Sequence, residues 1–187
     1  MEWIQSVDFA ILDFIQQFIK NTFLDIPMMI FSYVGEAGAC WIVLGIVLCF
    51  FKKSRATGVI LLASMALTAL VGEIALKHLI ARPRPFWVNP DITLNISAPS
   101  GYSFPSGHSG MSAAAVTVLL ARERKRIAVP ALVLGVLIVF SRLYNYVHYP
   151  SDVICGILLG VLCALIMLFV FRRTGLDRRL SGDRAAG

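Results

Sequence analysis

Apolar runs long enough to cross a bilayer constrain this chain more than any other feature. A helix needs about 20 mostly apolar residues to span a hydrocarbon core roughly 30 Å thick. Four stretches approach or pass that length, at 26–51, 57–80, 127–140 (continuing toward Tyr146) and 150–171. Another, 107–121, the third of the five in chain order, is shorter and rich in Ala and Ser, which predicts packing against neighbouring helices rather than exposure to lipid. Hydrophobic residues make up 58% of the 187 and charged residues only 15%. The mean hydropathy is +0.77. A soluble domain rarely carries that balance. The expected fold is all-α and membrane-integral. It has five transmembrane helices within 21–172, an N-terminal interfacial amphipathic helix over 1–20 and a polar cytoplasmic tail over 173–187.

In a soluble protein the net charge of +6 would suggest a nucleic-acid partner. Here the basic residues gather between apolar runs, and no nucleic-acid motif accompanies them. Lys52, Lys53 and Arg55 follow the first run, and Arg122, Arg124, Lys125 and Arg126 separate the third from the fourth. Arg172, Arg173, Arg178 and Arg179 follow the fifth. Five crossings put all these clusters on one side, which the positive-inside rule makes cytoplasmic. The segment 81–105 and the turn 144–149 then face outward.

Within the first twenty residues, Trp3, Ile4, Val7, Ile11, Phe14, Ile15 and Phe18 recur at helical spacing. Glu2, Asp8, Asp13, Gln16 and Gln17 fall mostly on another face. Two aspartates at bilayer depth are costly, so this helix is expected to lie in the interface, with a sixth crossing as the alternative. The same aspartates, without a basic n-region, argue against a secretory signal. Cys40, Cys49, Cys155 and Cys163 all lie inside apolar runs and read as small buried or lipid-facing residues.

Polar residues cluster where the apolar runs end on the outer side. Lys77 is followed by Arg82, Pro83, Arg84 and Pro85; Pro105-Ser106-Gly107-His108 opens the third run. Ser141-Arg142, His148 and Asp152 bracket the turn into the fifth. Topology brings these clusters to one membrane face. Lys77, Arg84 and Arg142 supply positive charge, and guanidinium groups bind phosphate oxygens in bidentate fashion. Ser106-Gly107-His108 begins a helix, where free backbone N–H groups and the dipole favour an anion, and Gly107 permits close approach. An imidazole oriented by Asp152 can attack phosphorus while a second protonates the leaving oxygen. No metal-ligand spacing occurs, the crowded cations would repel a metal ion, and no cofactor is expected.

The pattern Lys77-x6-Arg84-Pro85, Pro105-Ser106-Gly107-His108 and Ser141-Arg142-x5-His148-x3-Asp152 resembles the three-part signature of the type-2 phosphatidic acid phosphatase family. The likeness covers roughly 77–152 and the helices around it. It implies that His148 is the nucleophile forming a phosphohistidine, that Asp152 orients it and that His108 is the general acid. It further implies that Lys77, Arg84 and Arg142 hold phosphoryl oxygens, with Ser106, Gly107 and Ser141 completing the cradle, without a metal. The short chain looks like the small bacterial members that convert undecaprenyl pyrophosphate to undecaprenyl phosphate. Phosphatidylglycerophosphate or phosphatidate phosphatase is the alternative, followed by a non-catalytic phospholipid binder. The expected partners are the lipid phosphate substrate and membrane lipids, with no nucleic acid and no known protein partner.

Other residues read more plainly. Glu73 precedes Lys77 by one helical turn and is expected to pair with it. Arg82 lies outside the signature and reads as solvated or in contact with headgroups. His78 points to another helix face than Lys77 and is left non-catalytic. Trp3, Phe86, Trp87 and Tyr102 read as interfacial anchors. Asn95-Ile96-Ser97 matches a glycosylation sequon, a tripeptide common by chance.

Overall fold

The computed structural model describes residues 2–181, leaving the last part of the expected cytoplasmic tail, 182–187, outside the described residues. The described residues form helices and connecting segments, with no strand among them. In chain order the helices are α1 (Glu2–Phe14, extended by a π-helical turn Ile15–Ile19), α2 (Thr22–Val34), α3 (Ala39–Phe50) and α4 (Arg55–Ala69). A π-helical stretch, Leu70–Leu76, joins α4 to α5 (Lys77–Ile80), and a short α6 (Pro85–Val88) follows. Then come α7 (Gly107–Arg122), α8 (Lys125–Tyr144), α9 (Pro150–Arg173) and α10 (Leu176–Ser181).

Among the described residues, three stretches are long and apolar enough to cross a bilayer: Arg55–Val88, Lys125–Tyr144 and Pro150–Arg173. The pair Thr22–Val34 and Glu36–Phe50 makes a fourth if its two halves, bent by 46°, are one span. The sequence reads 26–51 as an unbroken run, yet the chain turns at 35–38. Gly38 has φ +71° and Ala37 φ +49°, a left-handed conformation that interrupts the helical ladder. The turn carries Glu36, Ala37 and Gly38 to the cavity described below.

The 16-residue α7 is the centre of the bundle, against α4, α8 and α9. Small residues let the backbones touch: a Cβ on Gly156 or Gly160 would run into the carbonyl oxygens of Ser106 and Gly110. Trp41, Ile60, Leu61, Val118, Leu119 and Ile138 fill the apolar core around it. One buried polar bond crosses that core, Trp41 Nε1 donating to Ser112 Oγ at 3.0 Å.

Helix α1 packs one face against the bundle and leaves another open. Its apolar residues Trp3, Ile4, Val7, Phe14 and Phe18 are exposed, whereas Asp8 is buried against the rest of the protein. Leu12 packs on Tyr146 and Tyr149, and Asp13 accepts from Tyr146 Oη at 2.9 Å. The far end of the bundle is tied as well. Arg122 forks onto Asp177 of α10 at 2.6 and 2.8 Å, so 176–181 folds back on the bundle rather than trailing from it.

Candidate active site

His148 lies in the buried turn between α8 and α9, with 2% of its surface exposed. Its ring nitrogens have different neighbours. Arg84 Nη1, which can only donate, stands 3.3 Å from Nε2, so Nε2 holds the lone pair. Nδ1 therefore carries the proton, 3.4 Å from Ser103 Oγ and 3.7 Å from Asp152 Oδ2. Ser103 gives its own proton to Asp152 Oδ2 at 2.5 Å. Asp152 is fully buried and also accepts from the Tyr149 backbone N–H at 3.0 Å, which caps α9. Burial lowers the pKa of the His148 imidazole to about 3; Arg84 and Arg142 push the same way, and Asp152 opposes them without overcoming burial. A neutral imidazole with its lone pair on Nε2 is the form that can act as a nucleophile.

Besides its contact with His148, Arg84 is held by three backbone carbonyls: Nε donates to Gly101 O at 2.8 Å, Nη1 to Val147 O at 3.0 Å and Nη2 to Ser100 O at 3.1 Å. Arg142, also buried, donates through Nη1 to Ser32 Oγ, and its Nε has no hydrogen-bond partner among the described residues. An unpaired buried donor on a cation invites an anion. His108 Nε2 donates to the Ser32 carbonyl at 3.1 Å, with Glu36 Oε2 at 3.7 Å. Gly35 makes room for that ring, since a Cβ there would meet His108 Cδ2 at 2.9 Å.

Lys77 and Glu73 form the ion pair that their helical spacing implies, 2.6 Å from Nζ to Oε2. Gly107 sits directly beneath Glu73, where any Cβ would strike Oε1. These groups surround a cavity of about 380 Å³ lined by Lys77, Arg84, Gly107, His108, Arg142 and His148, together with Glu36, Glu73 and Met111. The structure does not bring Ser106 and Ser141 to its wall. Ser106 Oγ accepts from Ser109 Oγ at 2.9 Å, and Ser141 Oγ donates to Ile138 O at 2.7 Å. Asp152 stands behind His148 rather than in the cavity, and no group of His, Cys, Asp and Glu among the described residues is arranged to hold a metal ion.

Several neighbours escape a motif-based reading. Ser103 bridges His148 and Asp152, Ser32 serves both His108 and Arg142, and Glu36 lines the cavity. No spacing rule announces them, because each meets its partner across the fold. Arg82 corrects its expected solvated role: it donates to Asp152 Oδ1 and Asp8 Oδ2 at 2.7 Å each. His78 hydrogen-bonds the carbonyl of Ile74 at 3.0 Å on an exposed face, away from the cavity. The Asn95 amide of the sequon donates to Asp25 Oδ1 at 2.7 Å, so that nitrogen is already engaged.

Desolvated cations, a helix N-terminus and two histidines around one cavity, on a helical bundle of membrane-spanning length, define a membrane phosphate-ester or anhydride enzyme. The chain belongs to the PAP2 superfamily, whose family model matches residues 57–175, and it is a membrane-embedded lipid phosphate phosphatase. The undecaprenyl-diphosphatase of Sulfolobus acidocaldarius is 37% identical over 121 residues, a match covering 64% of this chain and 58% of that protein. Aquifex aeolicus LpxE superposes with a TM-score of 0.76 at 29% identity, covering 87% of this chain and 94% of that one. A transmembrane PAP2-type phosphatidylglycerolphosphate phosphatase from Bacillus subtilis gives 0.74 at 26% identity, covering 92% and 88%.

Proposed function

We propose that this phosphatase converts undecaprenyl pyrophosphate to undecaprenyl phosphate, recycling a cell-wall carrier lipid at the outer face of the cytoplasmic membrane through a phosphohistidine on His148. The observation that carries the mechanism is the polarised imidazole, with its Nε2 lone pair beside Arg84 and its Nδ1 proton toward Ser103 and Asp152. Nε2 attacks the terminal phosphorus, an N–P bond forms, and the P–O bond to undecaprenyl phosphate breaks. His108 supplies the proton to the departing oxygen where one is needed. Water then attacks phosphorus, the N–P bond breaks, and inorganic phosphate leaves. Lys77, Arg84, Arg142 and the backbone N–H groups at Gly107 offset charge on the transferring group, in place of a metal ion. Ser106 and Ser141 support this cradle from outside the cavity wall.

In this proposal the chain crosses the bilayer five times over 21–172, with 1–20 interfacial and 173–187 cytoplasmic. The basic clusters at 52–55, 122–126 and 172–179 support that orientation. The archaeal likeness supports the polyprenyl substrate, and the B. subtilis likeness supports phosphatidylglycerophosphate as the competing one.

The deciding experiment measures phosphate release by purified protein from undecaprenyl pyrophosphate, phosphatidylglycerophosphate and phosphatidate in matched detergent. A higher kcat/KM on the polyprenyl substrate is expected, and preference for a glycerolipid overturns that choice. His148→Ala should abolish release from all three while the protein still inserts. Full activity in that variant refutes the nucleophile.

A further inference from the structure

Outside the histidine pair, the most densely bonded polar cluster joins α1 to the first turn of α9. Arg82 sends Nη2 to Asp8 Oδ2 and Nη1 to both Asp152 Oδ1 and Ser151 Oγ, each at 2.7 Å. Its guanidinium lies 3.8 Å from the Tyr149 ring centroid, and Phe9 of α1 meets the same ring edge-on at 5.4 Å. Asp8, 2% exposed, accepts in turn from the Ser151 backbone N–H at 2.9 Å and from Ser151 Oγ at 2.5 Å. A carboxylate beside free N–H groups at a helix start is favoured twice, by the hydrogen bond and by the dipole.

This arrangement has a consequence for Asp152. With Oδ1 occupied by Arg82, the carboxylate cannot rotate, and Oδ2 remains the oxygen that meets Ser103 and faces His148. Charge follows the same division. One guanidinium between two buried carboxylates leaves a net negative charge; without Asp8, Arg82 would neutralise Asp152 alone and weaken its hold on an imidazolium. Only a planar fork can serve both carboxylates through separate nitrogens, which a lysine cannot do.

We propose that Asp8 and Arg82 are positioning residues of the phosphatase reaction, through which the N-terminal helix fixes the Asp152 carboxylate behind His148. The inference rests on the proposed roles of His148 and Asp152. It makes α1 part of the active site, although the matched family region begins only at residue 57.

The test uses the full-length protein and compares Asp8→Asn and Arg82→Lys with Asp13→Asn. Asp13 fastens the same helix through Tyr146 without touching Arg82 or Asp152. For Asp8→Asn and Arg82→Lys, kcat on undecaprenyl pyrophosphate should fall about tenfold with KM held within about twofold. The double variant should be no slower than the slower single one, because both act through one carboxylate. Asp13→Asn should lower the thermal midpoint comparably while keeping kcat. Unchanged kcat in Asp8→Asn, or an equal loss in Asp13→Asn, overturns the proposal and reduces α1 to a structural fastening. If Asp8→Asn does not fold, Arg82→Lys carries the same test, since it keeps the charge and loses the fork. His148→Ala and Asp152→Asn serve as controls. If either is fully active, the underlying reading fails; if both are inactive while Asp8→Asn is normal, only this inference fails.

Discussion

Ser103 Oγ stands between His148 and Asp152, 3.4 Å from Nδ1 and 2.5 Å from Oδ2. The direct gap from Nδ1 to the carboxylate is 3.7 Å, too long for a hydrogen bond. The serine therefore relays the orientation: it donates to Asp152 and offers its lone pairs to the imidazole N–H. Ser103→Ala should lower kcat about tenfold with little change in KM, because the imidazole loses its fixed tautomer and not its contact with substrate. Steady-state kinetics on the preferred lipid check this, and unchanged kcat would assign the orienting role to Asp152 alone.

Gly107 and Glu73 set the position of Lys77. A Cβ at Gly107 would occupy the place of Glu73 Oε1 and push the carboxylate away from the lysine it holds at 2.6 Å. Gly107→Ala should raise KM about fivefold, since Lys77 is proposed to bind phosphoryl oxygens in both the ground and transition states. Once Glu73 has been shortened, the added methyl group has nothing to displace. Glu73→Ala/Gly107→Ala should therefore match Glu73→Ala alone, and an additive loss in the double variant would place the effect elsewhere.

Much of this site is legible in the sequence because membrane helices write themselves in run length, and because motif residues sit at run ends. The pairing of Glu73 with Lys77 follows from one turn of helix. The break at 35–38 does not, since Ile26–Phe51 is apolar almost throughout and hydropathy carries no sign of backbone direction. Ser106 and Ser141 read as cradle residues from their place in the motif. Their hydroxyls turn elsewhere: Ser141 bonds the carbonyl three positions back in its own helix, a common fate for a helical serine, and Ser106 accepts from Ser109. Arg82 and Asp8 meet across 74 positions, so only the fold reveals that a buried aspartate, costly in lipid, is matched by a partly buried arginine.

The buried imidazole of His148 predicts a pH effect on stability. Its pKa falls from 6.5 to about 3 on folding, so the folded state favours the neutral ring. The sign follows by linkage: this contribution is fully present above pH 6.5 and is lost as pH falls toward 3. Thermal midpoints of the substrate-free protein should therefore drop on acidification through that window. The drop should be smaller in His148→Gln, which has no proton to take up. An equal drop in both would show that other groups carry the acid sensitivity.

Leaving-group dependence separates the two histidines. Gly35 lets the His108 ring reach the Ser32 carbonyl, and a Cβ there would strike His108 Cδ2 and Ile138 Cγ2, displacing the ring without removing it. A general acid matters most when the departing oxygen is strongly basic and least when it is already a weak base. Gly35→Ala and His108→Ala should therefore cost about a hundredfold on an alkyl phosphate monoester but only a few-fold on an aryl ester such as p-nitrophenyl phosphate. His148→Ala should remove activity on both, because the proposed N–P bond can no longer form. Parallel kcat/KM measurements on the two esters decide the matter. Equal losses on both would mean that His108 binds phosphate rather than protonating the leaving group.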